Sequence, residues 1–288
     1  MINRAIRNTV NLFLYGGLFI GLCAACITAL TFELIGRTIE YLSYTLLVGT
    51  ATAALYNLHR VIGLQKTAHL VVSGRFAVIR QYQFHIRVYT VLWTLISIWL
   101  LLSIISEKFL LVLLPAGLIS FAYVIPFLPG GRRLRDLGWG KIVMISWSWA
   151  WLTAVVPLWF FGNASTQMIV IHGLERMLFI MLIAIPFEVR DLQLDRSLGL
   201  VTMPAKIGMQ KTRYIVMLLS VLILFLSFVA SFHYFNLAYG LAMGTATCLV
   251  YPLFRRSDRI HDDYYFAGLI DGMMIIALWL FCLFHALI

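Results

Sequence analysis

Pro186-Phe-Glu-Val-Arg-Asp-Leu-Gln-Leu-Asp-Arg-Ser-Leu-Gly-Leu-Val-Thr-Met-Pro-Ala-Lys-Ile-Gly208 is the polar interval on which the reading of this chain turns. It gathers Glu188, Asp191 and Asp195 in a protein with only 12 carboxylates in 288 residues. If 191–195 is helical, the spacing of four sets both aspartates on one face, with Glu188 one turn earlier. Three neighbouring acids repel one another unless a cation or basic side chains stand among them. An apolar run leads into this interval and another leaves it. Those flanks decide the fold.

Hydrophobic residues make up 62% of the chain and charged residues 12%, with a mean hydropathy of +0.92. A soluble domain cannot hide so much apolar surface, because the core required outgrows a single domain. A bilayer can. The composition predicts an all-α polytopic membrane protein, since only helices satisfy their own backbone groups in lipid. Arg4 and Arg7 ahead of an apolar run imitate a signal peptide, but the run is too long and no small-x-small site closes it, so it reads as a first span. Cys23-x-x-Cys26 has redox or metal spacing, yet it lies in an apolar segment without a second pair and reads as packing.

Working outward, apolar stretches fall at about 10–34, 39–56, 86–106, 109–128, 141–161, 167–187, 213–232, 236–254 and 265–287. That predicts about nine transmembrane helices in a single domain over 1–288, each near the roughly 20 residues a span needs. Connections after odd spans are short (35–38, 106–108, 162–166, 233–235). Those after even spans are longer and polar (57–85, 129–140, 188–212, 255–264). Alternation puts the long connections and the amino terminus on one side. That side carries 19 of the 22 Lys and Arg residues, leaving only Arg37, Lys108 and Arg176 on the other. The positive-inside rule places it in the cytoplasm and the carboxyl terminus outside, in a cell inner membrane. The net charge of +10 is therefore mainly a topology signal that also suits anionic headgroups. No soluble domain remains to bind nucleic acid.

Chemistry concentrates in the long connections. Asp191 and Asp195 can each give an oxygen to Mg²⁺, with Glu188 as third ligand or support, because Mg²⁺ is usually held by one or two carboxylates plus substrate phosphates. Arg190, Arg196, Lys206 and Lys211 can neutralise further phosphate charge. The bland alternative is a solvated loop whose acids pair with adjacent arginines. Residues 57–85 hold no Asp or Glu; Asn57, His59, Arg60 and Lys66 there suit an anion, or else anchor the headgroup level. Arg132, in the second connection, either faces a phosphate or is a topogenic charge. Asp271 lies two turns into the last span, where a charge is costly, and is either functional or capped near the interface. Gly199, Pro204 and Gly208 predict a bend and a further turn. Trp147, Trp149, Trp151, Phe160 and Phe161 either line an apolar tunnel or pack against helices and lipid.

These residues together resemble the UbiA-type membrane prenyltransferases. The likeness rests on the nine-span layout, the long connections after spans two and six, Leu137-Gly138, and Arg190-Asp191-x-x-x-Asp195 followed by Gly199, Thr202, Pro204 and Gly208. It implies a helical bundle around a central cavity and Mg²⁺-dependent transfer of an isoprenyl group from a prenyl diphosphate to a lipophilic membrane acceptor. In that family two acidic motifs face each other across two metal ions. Here the second is present as Asp191 and Asp195, whereas the first departs: Asn57 matches, but Leu58, Val61 and Gln65 stand at the aspartate positions. A Tyr-x-x-x-Lys element is also altered, with Phe127 following Tyr123. The resemblance therefore implies one Mg²⁺ rather than two, with His59, Arg60 and Lys66 supplying the remaining positive charge. The alternative is a non-catalytic member of the fold, a lipid-binding or scaffolding subunit.

Overall fold

A computed structural model describes residues 4–36, 41–66, 75–126, 129, 131, 134, 140–197, 202–234, 236–260 and 262–288. The regular structure in these residues is helical throughout. The elements are α1 (Arg4–Tyr15), α2 (Leu18–Leu34), α3 (Leu42–Lys66), α4 (Arg75–Gln81), α5 (Gln83–Ile104), α6 (Glu107–Val124), α7 (Gly140–Ala150), α8 (Thr166–Arg190), α9 (Leu192–Ser197), α10 (Met203–Tyr234), α11 (Leu237–Arg256) and α12 (Met273–Leu287). Two π-helical turns, Trp151–Val155 and Pro157–Phe161, carry α7 across the bilayer, and a third, Tyr265–Ile270, leads into α12.

Each of the nine expected stretches is mainly helical in its described residues. Among the described residues, six helices are long and apolar enough to cross a membrane, or up to seven if α1 and α2, bent by 56°, form one span. α3 falls short of that measure because it dilutes its apolar run with Thr45, Thr50, Thr52, Tyr56 and Asn57. α3 also runs past its expected end near residue 56 to Lys66, so Asn57, His59 and Arg60 stand on a helix rather than in a loop. Val61 and Leu64, three residues apart, hold that extension by packing against Leu14, Tyr15, Ile79, Tyr82 and Ile86.

The helices close into a ring. α2 packs on α3, α3 on α5 and α6, α6 on α7, α7 on α8, α8 on α10, α10 on α11, α11 on α12, and α12 back on α2. Large apolar side chains on the outside stay uncovered, as a bilayer requires: Phe228 and Phe232 of α10 are 70% and 71% exposed. At the end with the short connections, Phe32, Tyr41, Tyr44, Phe109, Phe160 and Phe161 pack ring against ring. Phe160 and Phe161 thus pack between helices, and Trp147 stacks on Trp151, whose indole donates to the Val112 carbonyl at 2.8 Å.

Mid-bundle, α8 is braced in two directions. Pro157 has no N–H to offer the Thr153 carbonyl four residues back, and the π register gives the Val156 N–H to Trp151 instead of Leu152. Side chains from other helices serve both carbonyls. Tyr44 Oη donates to Leu152 at 2.6 Å, while Thr31 Oγ1 and Arg176 Nη1 donate to Thr153 at 2.7 and 3.3 Å. Arg176 also donates to the Ile27 carbonyl at 2.7 Å. Its neighbour Glu175 points the other way and accepts from Ser227 of α10 and from Tyr239 of α11, the latter at 2.6 Å. Arg176, expected among the charges of the outer side, is instead buried at 1% exposure.

Replacing Arg176 with Met is expected to lower stability in detergent by about 1–3 kcal/mol, the cost of leaving buried acceptors short of donors. Pro157→Ala restores an N–H toward Thr153, so the same change should cost less in that background. Thermal unfolding of the four proteins checks this, and an Arg176→Met chain as stable as the parent refutes it.

Candidate functional site

Arg60, Tyr15, Asp263 and Arg190 are linked in that order at the other end of the bundle, where the long connections emerge, and the nearby His59 and Glu188 hold Tyr123 and Lys141. The break between α1 and α2 builds one wall. Gly17 takes φ +83°, and a Cβ there would lie 2.9 Å from the Ala53 carbonyl and 3.0 Å from the Asn57 amide, so only glycine fits. The Gly16 carbonyl at this break accepts from Asn57 Nδ2 at 2.8 Å and from Trp93 Nε1 at 3.1 Å. Asn57 is fully buried, and its Oδ1 accepts from Arg60 Nη1 at 3.2 Å. Arg60 also donates to the Tyr15 carbonyl at 2.8 Å. His59, one residue earlier, approaches the Tyr123 ring with centroids 6.3 Å apart.

α8 builds the facing wall. It stops at Arg190, with Asp191 closing its last turn and α9 starting at Leu192, so Asp191 and Asp195 are separated by a break. Arg190 is wholly committed. Nε and Nη2 bind Asp191 Oδ1 and Oδ2 at 2.8 and 3.2 Å, Nη1 binds Asp263 Oδ1 at 2.6 Å, and the guanidinium lies over the rings of Phe187 and Phe266. Asp263 Oδ2 accepts from Tyr15 Oη at 2.7 Å, which ties α1 to the last connection. Asp271 sits within the electrostatic reach of Arg190, Arg60 and Asp263, immediately after the π-helical turn. Glu188 is buried and pairs with Lys141 Nζ at 2.6 Å. Thr202 starts α10 by accepting from the Ala205 N–H at 3.4 Å, and Gly208, at φ +81°, kinks that helix as its glycine suggested.

The expected site residues divide accordingly. Asn57, Arg60, Glu188, Arg190 and Asp191 come to one end of the bundle. The side chains of Lys66 and Asp195, and the whole of Arg132, lie outside the described residues. Sequence reasoning missed Tyr15, Lys141 and Asp263. A lysine at the very start of an apolar run and a buried acid at the end of another each need a partner, which is the signal that pairs Lys141 with Glu188.

Among the described residues, no three Cys, His, Asp or Glu side chains come together in a way that could hold a metal ion. Lys141 balances Glu188 and Arg190 covers both oxygens of Asp191, so the described carboxylates do not hold an ion by themselves. One that brings phosphate oxygens fits, because Asp191 is partly exposed and has only to exchange one cation for another.

Such a bundle is an integral membrane protein, and its fold has solved counterparts. By sequence, no family model and no curated protein matches the chain. By structure it is similar to a UbiA homologue from Archaeoglobus fulgidus, with a TM-score of 0.64 at 12% identity over 96% of this chain and 99% of that one. The homologue bound to DMAPP and Mg²⁺ gives 0.65 at 13% identity, covering 94% and 99%. A digeranylgeranylglyceryl phosphate synthase in membranes gives 0.54 at 15% identity, covering 98% of each chain. The chain has the fold of these UbiA homologues.

Removing one partner of the buried Lys141–Glu188 pair should be costly, about 3–5 kcal/mol for Lys141→Met. The double change Lys141→Met with Glu188→Met should recover most of that loss, because no lone charge stays buried. Unfolding midpoints that fall additively would contradict the pairing.

Proposed function

We propose that this chain is an integral membrane prenyltransferase that moves an isoprenyl group from a prenyl diphosphate to a lipophilic acceptor held in the bundle. The observation that carries the reading is that Tyr15 and Asp263 link Arg60 to the Arg190–Asp191 pair at the loop-rich end of a UbiA-type fold. The excess of Lys and Arg on the connections at that end supports a cytoplasmic orientation, where a charged diphosphate is at hand.

Asp191 and Asp195 are the residues that would hold a single Mg²⁺, whose charge draws electrons toward the departing diphosphate. A second ion lacks ligands, since Leu58, Val61 and Gln65 carry no oxygen with charge. Arg60, Lys66 and His59 supply positive charge from the α3 side instead. The allylic C–O bond breaks with its electron pair leaving on the diphosphate, and preorganised cations stabilise that charge as it develops. The acceptor's nucleophilic atom then bonds to the allylic carbon and gives up its proton. Apolar helix walls keep water from competing for the carbocation.

A second reading, a non-catalytic lipid-binding or scaffolding subunit, draws support from one observation. The described acids Glu188, Asp191 and Asp263 are already paired with Lys141 and Arg190.

Purified protein supplied with dimethylallyl or geranyl diphosphate and a lipid extract is expected to release pyrophosphate only when Mg²⁺ is present. Asp191→Asn should cut the rate by about 100-fold or more. Equal rates in the two proteins sink the enzyme reading, and no binding of either diphosphate favours the subunit.

A further inference from the structure

The contact between Arg190 and Asp263 joins residues 73 apart in sequence and takes the one guanidinium nitrogen that Asp191 leaves over. A phosphate oxygen and a carboxylate oxygen make the same kind of short, charge-assisted bond to arginine. Asp191 is the neighbouring residue and grips Nε and Nη2 side-on, so it follows Arg190 wherever the end of α8 goes. Asp263 belongs to the connection between α11 and the last span, and it binds end-on through a single oxygen at 2.6 Å. Its other oxygen has a partner of its own in Tyr15 Oη at 2.7 Å, so the carboxylate stays hydrogen-bonded when Arg190 leaves it. Both partners are only partly buried, with side-chain exposures of 16% and 14%, so the exchange occurs at the mouth of the bundle rather than in its core.

Building on the prenyl diphosphate reading, we propose that Asp263 is an internal stand-in for the substrate's phosphate. Its carboxylate occupies the end-on position of Arg190 in the empty site, and the diphosphate must displace it to bind. Arg190 trades Asp263 for a phosphate oxygen, so its charge keeps an anionic partner when Asp191 turns to the Mg²⁺ that arrives with the diphosphate. Asp263 thereby sets affinity without touching the reacting carbon. Through Tyr15 it also reports the exchange to α1, which joins α2 at Gly17.

The test is equilibrium binding of geranyl diphosphate, at fixed Mg²⁺, to purified wild type, Asp263→Asn, Asp263→Glu, Arg190→Gln and the Arg190→Gln/Asp263→Asn double variant. Removing the competing charge should tighten binding by about fivefold or more in Asp263→Asn, whereas Asp263→Glu should bind like wild type. Arg190→Gln should weaken binding, and in its background the Asn substitution should change affinity by less than twofold, because Asp263 acts through Arg190. Unchanged or weaker binding by Asp263→Asn overturns the inference, as does an equal gain in both backgrounds. If Asp263→Asn does not fold, Asp263→Ser gives the same comparison. Wild type that binds no geranyl diphosphate overturns the proposed function and this inference together. Wild type that binds, with Asp263→Asn unaltered, overturns the inference alone.

Discussion

The bilayer interior offers no water, so every backbone or charged group that a helix leaves unpaired must find a partner inside the protein. The structure depends on how that constraint is met at two breaks. Pro157 and the π register around it strip carbonyls of their usual donors, and Tyr44, Thr31 and Arg176 supply replacements from three other helices. Gly16 and Gly17 interrupt the first span, and Asn57 and Trp93 serve the freed carbonyl. Each repair binds a helix to partners far away in sequence. Breaks that would weaken an isolated helix therefore fasten the bundle together.

The same logic arranges charge at the loop-rich end. Arg60 and Arg190 approach from opposite walls, and the acids that balance them come partly from the last connection, which supplies Asp263, and the span after it, which supplies Asp271. The first polar connection contributes none. Val61, which stands at one expected aspartate position, packs under α1 together with Leu64. An apolar side chain at Val61 suits that packing, and the site is bounded by α1, α3, α8 and the last connection.

Much of the fold was legible in the primary structure. Helical class, membrane residence and the alternation of short and long connections follow from composition and periodicity, because lipid admits few other solutions. Gly208 announced its kink, and the resemblance carried by Asp191, Asp195, Thr202 and Pro204 led to the right fold. The reach of α3 was less legible, since its threonine-rich run continues as helix past its expected end to Lys66. Arg176 was placed at a surface because positive charges usually lie there. Only a neighbouring helix broken at Pro157 gives it a reason to be buried.

The sequence by itself determined which segments form apolar helices, which connections are long and polar, and which few residues can carry charge. All three are local properties of hydrophobicity and spacing. Only the tertiary structure decided who partners whom. Glu188 meets Lys141, Asn57 serves a backbone carbonyl, and Arg190 reaches Asp263, 73 residues away. Pairing depends on which helix faces close the ring, and short-range patterns along one helix do not encode that choice.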